Sequence, residues 1–186
     1  MGCSSLQGSP QSASVNKNVP TKAWEEIANE ASNASAFYED ARQIGTITAS
    51  GLSEISGIAP SYTNPNVYWV HNDSGGKPQI YAVDSSGNHI ATFEVSGATN
   101  VDWEDIASVS GANSKPVLYI ADIGNNFLDR EVLIIYRIPE PRISSTKSGA
   151  TETVETFYFR YPDGRHDAEA IFVDPDSERI YVVTKT

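Results

Sequence analysis

An acidic phrase recurs three times along the chain and limits the folds that the chain can adopt. The three copies are residues 54–58 (EISGI), 102–106 (DWEDI) and 167–171 (DAEAI). Each copy opens a predicted strand, and each is followed by a turn-rich gap and a second apolar run that ends in polar residues. A period of roughly 40–50 residues with several short strands per unit is typical of β-propeller blades.

The remaining strand signals favour an all-β fold built from such units. Alternating apolar residues bounded by Gly, Pro, Asn and Asp predict these strands, in chain order: 44–48, 56–60, 67–71, 79–84, 89–95, 103–109, 117–122, 131–138, 154–161, 168–173 and 179–184. They group into about two and a half four-stranded antiparallel blades, with a Ser/Thr/Gly-rich insert at 144–153. The fold class predicted is therefore an incomplete β-propeller.

A propeller needs about 4–8 blades to close around its channel. We therefore expect residues 44–186 to be the N-terminal part of a propeller domain in a longer protein, with the strand at 44–48 completing its final blade. An open edge after the last strand would be a pairing hazard. A free-standing open β-sheet domain is the alternative.

Two segments precede the predicted propeller. Residues 1–20 are rich in Ser, Gln and Asn, the composition of a flexible tether. Apolar residues at three- and four-residue intervals predict a short helix or linker at 21–43, with Thr21 as its cap. Cys3 lies in a Gly-Cys-Ser-Ser sequence that resembles the lipidation junction of bacterial lipoproteins, although a chance match is the alternative.

Composition excludes several classes of protein. The formal net charge of −11 argues against a nucleic-acid partner, because phosphates demand a basic face. No apolar run approaches the ~18–20 residues of a membrane-spanning helix. Cys3 is the single cysteine, so the chain has no internal disulfide.

The acidic phrases predict a cation site. A hairpin places the start of its first strand beside the end of its second strand. Each acidic phrase therefore lies next to the polar residues that end the following strand. In a propeller, these strand ends would surround one mouth of the channel. Clustered carboxylates repel one another unless a cation lies among them, and Ca²⁺ accepts many oxygen ligands in loose geometry. Residues two apart on a strand share a face, so Asp102 with Glu104 and Asp167 with Glu169 are predicted to act as pairs. The predicted metal ligands are Glu54, Asp102, Glu104, Asp122, Asp167 and Glu169. The alternative is that these residues are structural turn formers.

Neighbouring residues complete the predicted site. The side chains expected to bind a ligand beside the cation are Asn72, Asp73, Asn125, Asn126 and Lys185. His71 and His166 are candidate proton carriers, with ordinary surface or buried histidines as the alternative. Zinc is disfavoured, because His166 and Glu169 are three apart on a strand and would face opposite sides.

Several long motifs resemble a known group of proteins. They are WVHNDSG at 69–75, GATNVDWEDIA at 97–107, ADIGNN at 121–126, IYRIPE at 135–140 and YPDGRHDAEA at 161–170. The sequence resembles a widespread group of secreted or envelope-anchored bacterial β-propeller proteins, largely without assigned function. More remotely it is similar to β-propeller phytases and calcium-dependent lactonases, which hold metal at the channel mouth.

The resemblance implies an extracytoplasmic protein, secreted or lipid-anchored in the bacterial envelope. Together with the acidic phrases it predicts a propeller binding domain with a Ca²⁺-binding channel mouth, whose partner is a small molecule or a protein. The alternative is a metal-dependent hydrolase, phosphoesterase-like or lactonase-like, that uses the same site. Fold analogy does not decide between them.

Overall fold

A computed structural model describes residues 41–111, 115–144, 148–152 and 154–185. Its contacts divide the chain into two units, Met1–Arg42 and Gln43–Thr186, and every described strand lies in the second. The predicted tether at 1–20 and nearly all of the predicted helix at 21–43 lie outside the described residues. No helix in the described ranges could span a membrane.

The fold is all-β, as predicted, with eleven described strands in three sheets. Sheet A contains β1 (Ile55–Pro60), β2 (Val67–Asn72), β3 (Gln79–Asp84), β4 (His89–Glu94) and β8 (Ser148–Ala150). Sheet B contains β5 (Trp103–Val109), β6 (Val117–Asp122), β7 (Leu133–Pro139) and β9 (Glu155–Phe159). Sheet C contains β10 (Ala168–Val173) and β11 (Ile180–Thr184).

Consecutive strands pair antiparallel within each sheet, in the orders β1-β2-β3-β4, β5-β6-β7-β9 and β10-β11. The turns use residues that tolerate a left-handed backbone. Asn66 has φ 59° between β1 and β2, and Gly87 has φ 87° between β3 and β4. The hairpin grouping predicted from the sequence is therefore confirmed for the four-stranded sets.

Two details differ from the sequence prediction. The Ser/Thr/Gly-rich insert at 144–153, in which no strand was predicted, contributes β8, which pairs parallel with β4 and makes sheet A five-stranded. The predicted strand at 44–48 is wrong, since no strand forms there. Its backbone instead lies against the β3–β4 turn, where a Cβ on Gly87 would overlap with Thr46, and Ile47 packs onto the face of sheet A.

Two apolar layers join the three sheets. The layer between sheets A and B includes Trp69, Phe93, Trp103, Leu118 and Ile120. The layer between sheets B and C includes Val117, Tyr119, Leu133, Ala168 and Ile171. Sheet B therefore buries both of its faces, which explains why all six residues of β6 are buried.

The first strands of the three sheets share one irregularity. A β-bulge interrupts the pairing between Ile55 and Gly57, between Trp103 and Asp105, and between Ala168 and Ala170. It falls at the same place in each acidic phrase. The repeat seen in the sequence is therefore a repeat of backbone geometry, and bulges are a common way to redirect a side chain next to a site.

Candidate metal centre

The bulge places Ser56, Glu104 and Glu169 at equivalent positions on β1, β5 and β10. Neighbouring sheets make contact there. The Ser56 hydroxyl donates to the backbone carbonyl of Glu104 at 2.8 Å and to its Oε2 at 3.3 Å. Between the next two sheets, the backbone N–H of Ile171 donates to Asp105 Oδ2 at 2.8 Å. The bulged ends of the first strands therefore lie side by side.

Three carboxylates converge at this point. Asp73 follows β2, Asp102 precedes β5, and Glu104 is the bulged residue of β5. One oxygen from each lies within 4.8 Å of the other two. Glu104 is only 5% exposed, and Asp73 Oδ1 is buried without a hydrogen-bond partner. These three residues, the carboxylate cluster, form a group that could hold a metal ion.

Gly124 forms one wall of the carboxylate cluster. Its N–H donates to the backbone carbonyl of Asp102 at 3.2 Å. A Cβ at this position would overlap with Asp102 Oδ2 and Glu104 Oε1. Only glycine lets the backbone after β6 approach these two side chains so closely, and a close approach of this kind is a use of glycine at binding sites.

Burial and mutual repulsion alter the acidity of the carboxylate cluster. Burial, followed by the charges of Glu169, Asp73 and Asp102, raises the pKa of Glu104 to about 8. Burial is also the main cause that raises the pKa of Asp102, with Asp73 adding to it and Arg130 opposing it. Without a cation, Glu104 therefore holds a proton at neutral pH.

The equivalent carboxylates of the third acidic phrase, Asp167 and Glu169, have a cation of the chain beside them. The ammonium of Lys185 pairs with Glu169 and lies 3.3 Å from Asp167 Oδ2. The two carboxylates raise the pKa of Lys185 to about 12. Asp167 Oδ1 also accepts the backbone N–H of Asn125 at 2.7 Å. Of the two predicted pairs, only Asp102 and Glu104 lie in the cluster, whereas Asp167 and Glu169 have a built-in cation.

Asp122 has structural partners. It is fully buried, and its Oδ1 lies 2.7 Å from Arg130 in an ion pair. It also accepts the backbone N–H groups of Val101 at 3.2 Å and Asp102 at 3.1 Å. The structure therefore places this predicted metal ligand beneath the carboxylate cluster, where it holds the segment that enters β5.

Asn72 plays the matching part in sheet A. Its Oδ1 accepts the backbone N–H groups of Ser53 at 3.0 Å and Glu54 at 3.3 Å, and its Nδ2 donates to the carbonyl of Gly51 at 2.6 Å. The side chain of Glu54 is exposed. Asn72 and Glu54 were both predicted at the site, and neither belongs to the carboxylate cluster.

Asn125 and Asn126 were predicted to bind a ligand. Asn125 is buried, and its amide group bonds to the backbone of Arg130, accepting at 2.9 Å and donating at 3.0 Å. Asn126 is exposed. The first therefore shapes the loop after β6, and only the second is accessible from solvent.

His71 lies between sheets A and B. Its ring is fully buried and packs edge-on against Trp103. Nδ1 donates to the carbonyl of Asn72 at 2.9 Å. Nε2 lies where a Cβ on Gly57 would be, and it makes no hydrogen bond of ordinary geometry. Burial lowers its pKa, and the charges of Asp105 and Asp73 oppose this shift.

His166 lies two residues before β10, the first strand of sheet C. Its Nε2 is 3.1 Å from Asp163 Oδ1, and its ring packs edge-on against Tyr161. It directly precedes Asp167 in the chain. The two histidines that were predicted to move protons therefore have different neighbours, Trp103 for His71 and Asp163 and Tyr161 for His166.

Sequence reasoning missed two contributors to the site. Gly124 follows the buried end of β6, and nothing in its spacing indicates that it touches Asp102 and Glu104. Asn100 donates from Nδ2 to the carbonyl of Asp73 at 2.6 Å, and its Oδ1 is buried without a partner. Its position two residues before Asp102 was a signal, because alternate residues of an extended segment face the same side.

Models of protein families, curated proteins and solved structures were compared with the chain, and none of them matches it.

Proposed function

We propose that this chain is an extracytoplasmic β-propeller binding domain that holds Ca²⁺ at Asp73, Asp102 and Glu104. The observation that carries the proposal is the convergence of three carboxylates, one of them 5% exposed, within 4.8 Å of one another. Burying several like charges is costly unless a cation neutralises them. Among the described residues, Arg130 acts on Asp102 but already pairs with Asp122, and Lys185 already pairs with Glu169.

The dimensions of the carboxylate cluster suit Ca²⁺. Oxygen ligands lie about 2.3–2.6 Å from Ca²⁺, so two oxygens on one ion are at most about 5 Å apart. The three oxygens lie within this limit without movement of the backbone. Mg²⁺ demands shorter bonds of about 2.0–2.1 Å and near-ideal octahedral geometry. The three carboxylates come from two sheets and a β-bulge, an irregular arrangement that suits the flexible coordination geometry of Ca²⁺.

A cation held in this way would also present binding positions to a ligand. Ca²⁺ takes about 6–8 oxygen ligands, and three carboxylates leave several positions for water or an incoming group. Asn100 supplies a buried amide oxygen nearby. A small molecule or protein segment with carboxylate, phosphate or carbonyl oxygens fits this chemistry.

The propeller itself is part of the proposal. Three sheets stack face to face through two apolar layers, and their first strands lie side by side with equivalent bulges. Propeller blades have this arrangement, with the first strand innermost. The resemblance of the motifs to secreted or envelope-anchored bacterial propellers supports an extracytoplasmic location, with Cys3 as the proposed lipid anchor.

No contact of the two candidate histidines in the described residues supports the hydrolase alternative as directly as the carboxylate cluster supports cation binding. The His71 ring is fully buried against Trp103, although the charges of Asp73 and Asp105 act on it, and the His166 ring contacts Asp163 and Tyr161. A general base must reach the proton that it removes, either directly or through one water. We therefore propose binding as the function of the cluster.

Calorimetric titration of the full chain with Ca²⁺ and with Mg²⁺ tests the proposal. We expect one tight Ca²⁺ site, weaker Mg²⁺ binding, and a rise of ~2.7 kcal/mol in the free energy of unfolding at a hundredfold excess over Kd. Glu104→Gln should abolish the site. Glu155→Gln is the matched control, because Glu155 is exposed and pairs with Arg137. Absence of Ca²⁺ binding by the folded wild type would leave the carboxylates as structural residues.

A further inference from the structure

A cavity of about 530 Å³ lies between sheets A and B. Its lining includes Thr63, which follows β1, together with Pro116 before β6 and Glu140 after β7. These are the ends of β1, β6 and β7 that lie opposite the carboxylate cluster. Phe93 of β4 and Ala150 of β8 form a further wall. Two sheets that pack on each other therefore line the cavity, and its volume is in the range of small-molecule sites.

Hydrogen bonds fix the walls of this cavity. The side-chain amide of Asn64 donates to the carbonyl of Pro141 at 2.9 Å, and its oxygen accepts the backbone N–H of Ile143 at 2.9 Å. On another wall, the backbone N–H of Thr151 donates to the carbonyl of Glu94 at 2.8 Å. Pro141 and Thr151 both line the cavity. Walls held in this way need little ordering when a ligand binds, which favours affinity.

Two cationic side chains reach the cavity. They are Lys115, which precedes Pro116, and Arg142, which lies two residues after Glu140. The backbone N–H of Glu140 donates to the carbonyl of Pro116 at 2.9 Å, so the segments that carry the two cations are adjacent. Neither cation forms an ion pair with a described residue. In a chain with a net charge of −11, two such cations on one cavity indicate an anionic ligand.

The carboxylates that line the cavity leave the two cations without a close partner. Glu140 is 8% exposed, and its carboxylate accepts five hydrogen bonds from residues of sheet A and of the turn after β1. Its capacity to accept hydrogen bonds is therefore taken up. Glu152 is exposed and forms no ion pair with a described residue. Two cations therefore face one carboxylate that lacks such partners.

Apolar side chains form much of the remaining lining, among them Pro116, Pro139 and Pro141. A guanidinium group binds a carboxylate through two parallel N–H···O bonds. We propose that the cavity binds a small organic carboxylate, with Arg142 and Lys115 at its charged group and the prolines at its apolar body. The proposal is independent of the cation site, since no residue of the carboxylate cluster lines the cavity.

Calorimetric titration of the full chain with benzoate, in the absence of Ca²⁺, tests the proposal. Benzyl alcohol is the matched neutral probe, because it has the same ring without the charge. We expect benzoate to bind about tenfold or more tightly than benzyl alcohol, since only benzoate gains charge-assisted hydrogen bonds. Arg142→Gln should weaken benzoate binding by about tenfold or more, and Glu152→Gln should strengthen it by removing a like charge. Lys77→Gln removes an exposed cation in the loop after β2 and should bind benzoate like wild type.

Ala150→Phe tests the location of the site. Ala150 is exposed on β8 and lines the cavity, so a larger side chain would fill the space and leave the backbone pairing with β4 in place. We expect this variant to lose benzoate binding and to keep the circular dichroism and the Ca²⁺ binding of wild type. Absence of benzoate binding by the folded wild type overturns the proposal. Equal affinities for benzoate and benzyl alcohol, or benzoate binding that survives both Arg142→Gln and Ala150→Phe, overturn it as well.

Discussion

Glu104 is the bulged residue of β5, and it contributes one carboxylate to the proposed cation site. The sequence indicated that Asp102 and Glu104 would act as a pair, and the structure brings them together with Asp73. The equivalent pair, Asp167 and Glu169, carried the same sequence signal. The ion pairs of these two carboxylates with Lys185 depend on the pairing of Ala168 with Thr184, one residue before the lysine. Such ion pairs depend on the register of the paired strands, which the sequence repeat alone does not specify.

Gly124→Ala tests the wall of the carboxylate cluster at the residue scale. The added methyl group would occupy the space of Asp102 Oδ2 and Glu104 Oε1, so both carboxylates would have to move apart. We expect the affinity for Ca²⁺, measured by calorimetric titration, to fall by about tenfold or more, equivalent to about 1.4 kcal/mol.

Gly76→Ala is the control for this substitution. Gly76 lies in the loop after β2, and the nearest atom to an added Cβ would be Asn100 Nδ2 at 3.8 Å, an ordinary contact. The control should bind Ca²⁺ like wild type. Equal affinities for the two variants would contradict the assignment of Gly124 to the site.

At the scale of elements, alternation and turn residues predicted the strands of the three sheets but missed two features. The segment at 44–48 has the composition of a strand but does not form one. Its Ile47 packs on the face of sheet A. Conversely, β8 was missed, because Ser148–Ala150 has no apolar alternation and gains its pairing from β4. Short segments are governed by their neighbours more than by their own propensity.

Glu140 joins two of these elements at the ends opposite the acidic tips. It follows β7 in sheet B, and its carboxylate accepts hydrogen bonds from residues that follow β1 in sheet A. The donors are the N–H groups of Tyr62 (3.1 Å) and Thr63 (3.0 Å), the hydroxyls of Ser61 and Thr63, and the buried Trp69 Nε1 (2.8 Å). The sequence contained no sign of this network, because its members are about 70–80 residues apart.

Glu140→Gln should therefore destabilise the fold without affecting cation binding. An amide group accepts through one oxygen only, so at least one donor of the network loses its partner, at a cost of about 1–3 kcal/mol. Urea denaturation measures the change. Glu94→Gln, at an exposed position, should stay within about 0.5 kcal/mol of wild type. A Glu140→Gln protein as stable as wild type would show that the network is dispensable.

At the scale of the whole molecule, the acidic composition and the three-fold repeat indicated one shared acidic region. The contacts between β1, β5 and β10 create it, since they place the bulged ends side by side. The sequence could not show which strands touch, because contacts between sheets depend on how the sheets stack.

Proton linkage follows from the carboxylate cluster. The pKa of Glu104 is raised from 4.5 to about 8 in the folded chain. Between these values the folded chain retains a proton that the unfolded chain has lost, so without a cation its stability falls as pH rises through this range. A bound cation requires the carboxylate and must displace that proton. The affinity for Ca²⁺ should therefore increase with pH up to about 8.

The most direct test is the number of protons released when Ca²⁺ binds. Calorimetric titrations at about pH 6.5, in buffers with different ionisation enthalpies, report this number for the full chain. A carboxyl with a pKa of about 8 is almost fully protonated at that pH, so we expect the release of about one proton per Ca²⁺. Glu104→Gln should abolish the release together with the binding. Ca²⁺ binding without proton release, or release that persists in Glu104→Gln, would contradict a cation site at Glu104.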